Sequence, residues 1–342
     1  MHLLVTGGFG HIGKATLREA AGRGHQVTAL ARRSPHNERA ARKLARELPS
    51  EFFRIHWGDM RDPDSSRAAV TGQDAVIHLA AMLPPHCDEH AAACEAVNVG
   101  GTASLLEATK AEAARCGNGG PAIVYASSVS VMGATQHKDP PVRIDDHPRP
   151  SDTYSRTKVD AENLVREAAL PWSILRLSAV MPTSGMYRLS MARLMFDMAL
   201  AARCEIVLDL DAAYALVQTA VNLCDGGAAR GKTWFVAGGA DNGCQMTIED
   251  MLRNNLQPFG LRLPRADLFP TDLDSYYLDW YETAEGQSIL GYQRHGVDDW
   301  QRLARRRFRW LRRILWLVRW PANRYLGCVG ILERRRRHRA GG

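Results

Sequence analysis

Tyr154 and Lys158 stand four residues apart in DTYSRTKVDAENLV, a stretch that reads as a helix, and that spacing places both side chains on one face. A phenol with an ordinary pKa of about 10 is a poor acid or base at neutral pH, but a neighbouring ammonium favours the phenolate and lowers that value. The pair therefore has the form of a proton-transfer device. The spacing is also common by chance, so its meaning depends on what the rest of the chain brings to it.

A second stretch with chemistry in it is VTGGFGHIG, which places Gly7, Gly10 and Gly13 between the apolar run HLLV and the helical run GKATLREAAGRG. Gly7 permits a tight turn, Gly10 lets the backbone approach a pyrophosphate, and Gly13 lets the helix lie close to the sheet with its N-terminus facing the anion. Turns use glycine freely, and it is the strand-to-helix context that points to a dinucleotide. If that cofactor were NAD, the second strand, HQVTALARRS, should end in Asp or Glu to hold the ribose 2′-hydroxyl. Here Ala31 is followed by Arg32 and Arg33. The missing carboxylate removes repulsion of a 2′-phosphate, and a guanidinium can pair with that phosphate in bidentate fashion. NADP(H) is favoured and NAD(H) is the alternative, as is a plain solvated loop for the two arginines.

These motifs need a scaffold. HLLVTG, HQVTAL, FFRIHW, DAVIHLA, AIVYASS and WSILRLS alternate with helical segments over the first 180 residues or so. That is the rhythm of βαβ units, and continuous apolar runs indicate strands buried on both faces. The fold class is α/β, a Rossmann-type doubly wound parallel sheet over residues 1–182. EIVLDL, TWFVAGG, LDAAYALVQTAVNLC and TIEDMLRNNLQPFG suggest a smaller substrate lobe over 183–300, interleaved with the core. Residues 301–342 form a separate arginine-rich tail.

Upstream of Tyr154 lies YASSVSVMG. Together with TGGFGHIG, WGDMRD, HLAA, NVGGT, YSRTK and RLSAVMP, in this order over residues 2–182, it closely resembles the extended short-chain dehydrogenase/reductase family, with its NAD(P)-dependent epimerases and dehydratases. The resemblance implies that Ser128 orients the substrate oxygen, Tyr154 is the general acid/base, and Lys158 binds the nicotinamide ribose and tunes the tyrosine. It also implies that Phe9, His11 and Ile12 join the three glycines at the cofactor. Asp59, with Met60, would lie near the adenine, Ala80 beside the cofactor, and Asn98 would support the active-site helix. The implied chemistry is hydride transfer between a nicotinamide and a carbonyl or secondary alcohol of a small-molecule substrate. The alternatives are a nucleotide-sugar epimerase or dehydratase that cycles a bound NAD, and a non-catalytic NADP-binding module. Against the last stands the joint presence of Ser128, Tyr154 and Lys158. Ser127 is expected only to hydrogen-bond the turn backbone.

The chain also departs from the family. Sugar-nucleotide members carry a longer substrate segment after the strand ending at Pro182, whereas here the next recognisable helix follows after about thirty residues. Met181, Met186, Met191, Leu194, Met195 and Met198 in that segment read as helix-core positions, with an adaptable lipophilic lining as the alternative. Tyr276, Tyr277, Trp280 and His295 read as packing residues, and LGYQ at 290–293 as the closure of the substrate lobe.

The formal charge of the chain is +7, but residues 301–342 hold fourteen arginines and one acid, Glu333, a local +13 that leaves −6 for the body. In RRRFRWLRRILWLVRWP, a helix turning about 100° per residue gathers Phe308, Trp310, Leu311, Ile314, Leu315, Leu317 and Val318 within half of its circumference. Arg309, Arg312, Arg313 and Arg319 take the other half, joined by Trp316 and Trp320. This is the pattern of a helix at an anionic membrane surface, reaching over residues 305–339 and expected to stop at Pro321. The alternatives are packing on the protein's own body or on a second copy in a homodimer. An acidic body without a recognition fold argues against nucleic acid. No run of about 18 uncharged apolar residues is present, and MHLLVTGG has no secretory leader pattern. Seven cysteines without a Cys-x-x-Cys pair argue against a disulfide framework and a zinc site, and no metal is expected. A cytoplasmic protein, peripheral at the inner face of a membrane, fits these features.

Overall fold

The computed structural model describes residues 1–117, 120–183, 191–307 and 309–340, and the side chains of these except at 191–192, 309–318 and 338–340. Phe308 and Met186, and the side chains of Met191, Trp310, Leu311, Ile314, Leu315, Trp316, Leu317 and Val318, lie outside the described residues, as do those of Arg309, Arg312 and Arg313.

The central sheet has seven parallel strands: β1 (His2–Thr6), β2 (Gln26–Ala31), β3 (Phe53–Trp57), β4 (Ala75–His78), β5 (Ala122–Ser128), β6 (Trp172–Leu177) and β9 (Lys232–Val236). Their order is β3-β2-β1-β4-β5-β6-β9. Side chains alternate across it. Leu3 and Val5 enter one core with α1 (His11–Gly22), α2 (Pro35–Glu47) and α9 (Asp209–Cys224), through Leu17, Leu44 and Leu216. Leu4 enters the other with α3 (Pro63–Val70), α6 (Gly101–Cys116) and α7 (Thr153–Glu167), through Val70, Leu105 and Val165. Apolar residues on both strand faces require cover on both sides, and the two helical layers supply it. Local signals start the helices: Ser34 caps α2 ahead of Pro35, Asp62 caps α3 ahead of Pro63, and Asp152 and Ser155 form a capping box on α7.

The segments read as lobe elements divide between two places. EIVLDL belongs to β8 (Arg203–Leu208), flanked by β7 (Ala179–Met181) and β10 (Gln245–Thr247) in a three-stranded sheet. TWFVAGG supplies β9, the seventh strand of the main sheet, and LDAAYALVQTAVNLC supplies α9, a main-core helix. LGYQ likewise closes the main sheet: Tyr292 Oη donates to the Phe235 carbonyl (3.2 Å) and Gln293 Nε2 to the Ala237 carbonyl (2.8 Å). Met181, Met195 and Met198 are buried in the lobe core with Phe196, Phe269 and Trp300, but not as α-helix positions: Met181 ends β7, Met195 opens a single 3-10 turn and Met198 stands on the extended backbone after it.

Two expectations are corrected. Cys87 on α4 (His86–Glu89) is joined to Cys94 on α5 (Ala91–Glu95) by a disulfide, with Cα atoms 5.0 Å apart. The chain breaks between these two short helices at His90 and brings the sulfurs together, which cysteine spacing alone does not reveal. Pro321 does not end the tail helix: α13 runs Arg309–Ala340 through it. A helical φ suits proline, and the bond it forfeits is offset by contacts that hold the following turns. Leu326 and Val329 are buried, Gly330 lies against Phe196 and Leu268 so closely that a side chain there would collide, and Arg334 pairs with Asp267 at 2.9 Å. Arg337 donates to the carbonyls of Phe196 and Leu268. The second half of the tail is docked on the substrate lobe, while Trp320 (70% exposed), Tyr325, Ile331 and Leu332 (61%) face outwards. No helix among the described residues is long and apolar enough to cross a membrane.

Candidate active site

The strand order reverses between β1 and β4, and there, at the carboxyl ends of the strands, lies a cleft of about 380 Å³. Gly7, Phe9, Gly10, His11, Ile12 and Gly13 line it. Gly7 has φ of +67°, and a Cβ there would press on the Ala80 backbone at 2.9 Å. A Cβ on Gly13 would run into the Gly7 carbonyl and the Gly8 Cα. Gly10 caps α1 with no side chain of its own, and no acid occupies the first turn, so the leading N–H groups are left for an anion. The loop thus fits a dinucleotide pyrophosphate.

At one end of the cleft, Ala31 ends β2 and Arg32 follows it, and Asp59, Met60 and Arg61 follow β3. Arg33 is not brought there. Its guanidinium lies over the Trp57 ring (5.1 Å) and meets Glu38 at 3.4 Å, so of the two arginines only Arg32 lines the cleft. Arg61, which sequence reading passed over, grips Asp59 through two nitrogens, Nε at 3.1 Å and Nη2 at 2.6 Å, and holds that carboxyl below its usual range.

At the other end α7 brings Tyr154 and Lys158 into the cleft wall, both buried. Lys158 Nζ donates to the Ala126 carbonyl at 2.7 Å and lies 4.7 Å over the Tyr125 ring, but 5.9 Å from the Tyr154 ring centre. Burial pushes the Lys158 pKa down to about 7. The expectation that this ammonium lowers the tyrosine pKa is corrected. Burial, reinforced by Tyr277, pushes Tyr154 upwards against a hydrogen bond with Ser128, so the side chain is a neutral phenol across the physiological range. Ser128 closes β5, its Oγ also accepting from the Ser130 N–H (3.1 Å). Ser127 is corrected too: it donates not to the turn backbone but to the buried Glu162 Oε1 at 2.6 Å. Burial alone would raise the Glu162 pKa, but Arg176, at 2.9 and 3.0 Å, leads the contacts that hold it below the usual carboxylate range.

Asn98 sits in a π-helical turn, Ala96–Gly100, with its amide shared between two elements. Oδ1 accepts from the Met82 N–H (2.7 Å), while Nδ2 donates to the Met82 carbonyl (3.1 Å) and to Thr157 Oγ1 (3.0 Å). It therefore ties the loop after β4 to α7, one residue from Lys158. His78 was not foreseen. Thr6 Oγ1 accepts from the N–H groups of Leu79 and Ala80 (3.1 Å each), so its proton goes to His78 Nδ1 (2.7 Å). Thr102 gives its proton to the Asn98 carbonyl (2.6 Å), so it accepts from His78 Nε2–H (2.9 Å). The network assigns one tautomer. Burial, then Lys158, pushes the pKa of this histidine down to about 3, and a neutral ring fixes the loop that carries Ala80.

Residues 3–212 match the model of the NAD dependent epimerase/dehydratase family. The chain belongs to that family. Among its relatives in the family is a 3 beta-hydroxysteroid dehydrogenase/Delta 5-->4-isomerase of Mycobacterium tuberculosis, 34% identical over 169 residues, or 48% of this chain and 41% of that protein. Another is a 2-alkyl-3-oxoalkanoate reductase of Stenotrophomonas maltophilia, 32% identical over 174 residues, or 49% of this chain and 46% of that protein. The chain thus spans less than half the length of these curated relatives. A crystal structure of a Stenotrophomonas UDP-glucose-4-epimerase with bound NAD and formylated UDP-arabinopyranose has the same fold, with a TM-score of 0.73 and 21% identity over 92% of this chain and 99% of that one.

The buried lysine makes a prediction. With a folded pKa of about 7 and an unfolded value near 10.5, Lys158 binds fewer protons in the folded chain between those limits, so its share of stability rises with pH there. Relative to Lys158→Met, the wild-type protein should gain about 2 kcal/mol of unfolding free energy between roughly pH 7 and 9. Parallel denaturant titrations check this, and a constant difference contradicts it.

Proposed function

We propose that the protein is an NAD(P)-dependent oxidoreductase that reduces a carbonyl compound or oxidises a secondary alcohol. The observation that carries this reading is that Tyr154, hydrogen-bonded to Ser128, and Lys158 stand in the wall of the cleft that the glycine loop lines. A bound nicotinamide supplies or accepts the hydride. Gly7, Gly10 and Gly13 would hold the pyrophosphate of such a cofactor at the α1 N-terminus, with Phe9, His11 and Ile12 around it. Asp59, Met60 and Ala80 flank the cofactor, and Asn98 steadies the helix beside it. Ser128 holds the substrate oxygen. Tyr154, protonated in its buried setting, gives that oxygen its proton in the reductive direction. Lys158, whose Nζ donates to the Ala126 carbonyl, would hold the nicotinamide ribose and, when charged, would favour return of a proton to Tyr154. Arg32, with Arg61 beside it, reads a 2′-phosphate, which favours NADP(H) over NAD(H).

A lipophilic carbonyl substrate is consistent with the steroid dehydrogenase and the oxoalkanoate reductase among the relatives. The second reading, epimerisation or dehydration with a retained NAD, draws on the fold shared with the UDP-glucose-4-epimerase. Tyr154→Phe separates catalysis from mere binding: NADPH-dependent turnover should fall at least about 100-fold while cofactor affinity stays within a few-fold. A preserved rate sinks the proposal.

The tail adds a partner. Its outward face carries Trp320, stacked under Arg324 at 5.5 Å, with Ile331 and Leu332 further along and Arg335 exposed between turns. Indole, aliphatic and guanidinium groups on one exposed face suit an anionic membrane surface, with the enzyme peripheral to it on the cytoplasmic side. The full chain should float with vesicles rich in phosphatidylglycerol and not with phosphatidylcholine alone. Trp320→Ala combined with Arg324→Glu should weaken flotation severalfold. Equal flotation of the variant contradicts this assignment, and self-association without lipid would favour a homodimer.

A further inference from the structure

In the segment 83–96, which carries α4 and α5, every residue except Cys87 and Cys94 is exposed. Helices of four and five residues do not hold themselves together in water, so the two cysteines and the bond between them anchor this segment to the body. Both helices lie against α7, and Cys87 and Cys94 pack with Tyr154 and Met82 in one buried cluster. Asn98 Nδ2 lies 3.3 Å from Cys94 Sγ and 4.0 Å from Cys87 Sγ. Cys94 Sγ is 3.9 Å from Thr157 Oγ1, and Cys87 Sγ is 3.1 Å from the Met82 carbonyl oxygen. Met82, Asn98 and Thr157 are the residues that tie the loop after β4 to α7, so the disulfide braces that tie from behind. The same loop lines the cleft through Ala80, Ala81 and Leu83. Cys116, Cys204, Cys224, Cys244 and Cys328 are unpaired. One bridge among unpaired cysteines is the pattern of a redox-responsive pair rather than of a disulfide scaffold.

We propose that Cys87–Cys94 is a reversible redox-modification site, opened by a dithiol reductant, that sets the order of the cleft wall behind Tyr154. A thiolate of the reductant bonds to one cysteine sulfur, and the other cysteine leaves as a thiolate and takes a proton. The second thiol of the reductant then displaces the first cysteine. The reductant departs as a disulfide, and the protein has gained two electrons and two protons. Both sulfurs are buried, so attack follows local opening, and a segment with so few buried side chains belongs to the low-stability end of the fold. Once the bond is broken, the two short helices lose their covalent tie, Tyr154 loses a fixed neighbour, and the loop that carries Ala80 loosens.

The test compares the full chain after treatment with diamide, a thiol oxidant, and after dithiothreitol, a dithiol. Maleimide labelling after denaturation should find Cys87 and Cys94 blocked in the first state and both labelled in the second. Reduction should speed amide hydrogen exchange over 83–96 about tenfold or more, with a smaller rise at Asn98 and Thr157. NADPH affinity, followed by fluorescence, should fall severalfold on reduction and recover with diamide. Cys87→Ser combined with Cys94→Ser should match the reduced wild type and respond to neither reagent. Both cysteines labelled after diamide, identical exchange over 83–96 in the two states, equal NADPH affinity in both, or a double variant that still responds overturns the proposal. A redox-dependent exchange pattern without NADPH binding in either state would uphold the modification site and count against the cofactor reading of the cleft.

Discussion

A single buried carboxylate fixes the geometry on which the site depends. Glu162 has no solvent exposure and accepts from Ser127 on β5, Arg176 on β6 and Arg166 on its own helix. These contacts pin α7 to two strands of the sheet, and Lys158 and Tyr154 lie about one and two turns before the pinned position. Removing one member of such a cluster strands a buried charge, which costs about 3–5 kcal/mol. Only one arrangement of α7 on the strands satisfies all of these groups, so the phenol and the ammonium are held at the strand ends rather than merely brought near them.

The site is also poised by burial. Lys158 is desolvated and rests on a main-chain carbonyl, and Tyr154 is kept protonated. On the opposite side of the cleft, a neutral His78 and the amide of Asn98 hold the loop after β4 by hydrogen bonds alone. Of Lys158, Tyr154 and His78, therefore, Lys158 is the group whose charge changes near neutral pH. Such an arrangement leaves the charge of the pocket sensitive to what binds, because a ribose hydroxyl or an anion near Nζ would favour the ammonium.

Much of this was legible in the chain. The main strands, the doubly wound order and the glycine turn follow from apolar periodicity and from positions where only glycine fits, which are local properties. The placement of β9 and α9 in the main core was not legible, since an apolar strand does not say which sheet it joins. Arg32 and Arg33 look equivalent in sequence, and only the position of Trp57 and Glu38 separates them. The Cys87–Cys94 bridge and the Glu162 cluster depend on residues brought together by tertiary folding. The tail shows both sides of this: its amphipathic pattern is plain, yet its continuation through Pro321 depends on a docking surface formed by Phe196 and Leu268 far away in the chain.

The central claim is that this cleft is a nicotinamide dinucleotide site with Lys158 at its catalytic end. The most direct test is a parallel fluorescence titration of the wild-type protein and Lys158→Met with NADPH and NADH. Saturable NADPH binding by the wild type, weaker NADH binding, and a loss of NADPH affinity of about tenfold or more in the variant are expected. Absence of binding to either nucleotide, or equal affinity in Lys158→Met, would contradict it.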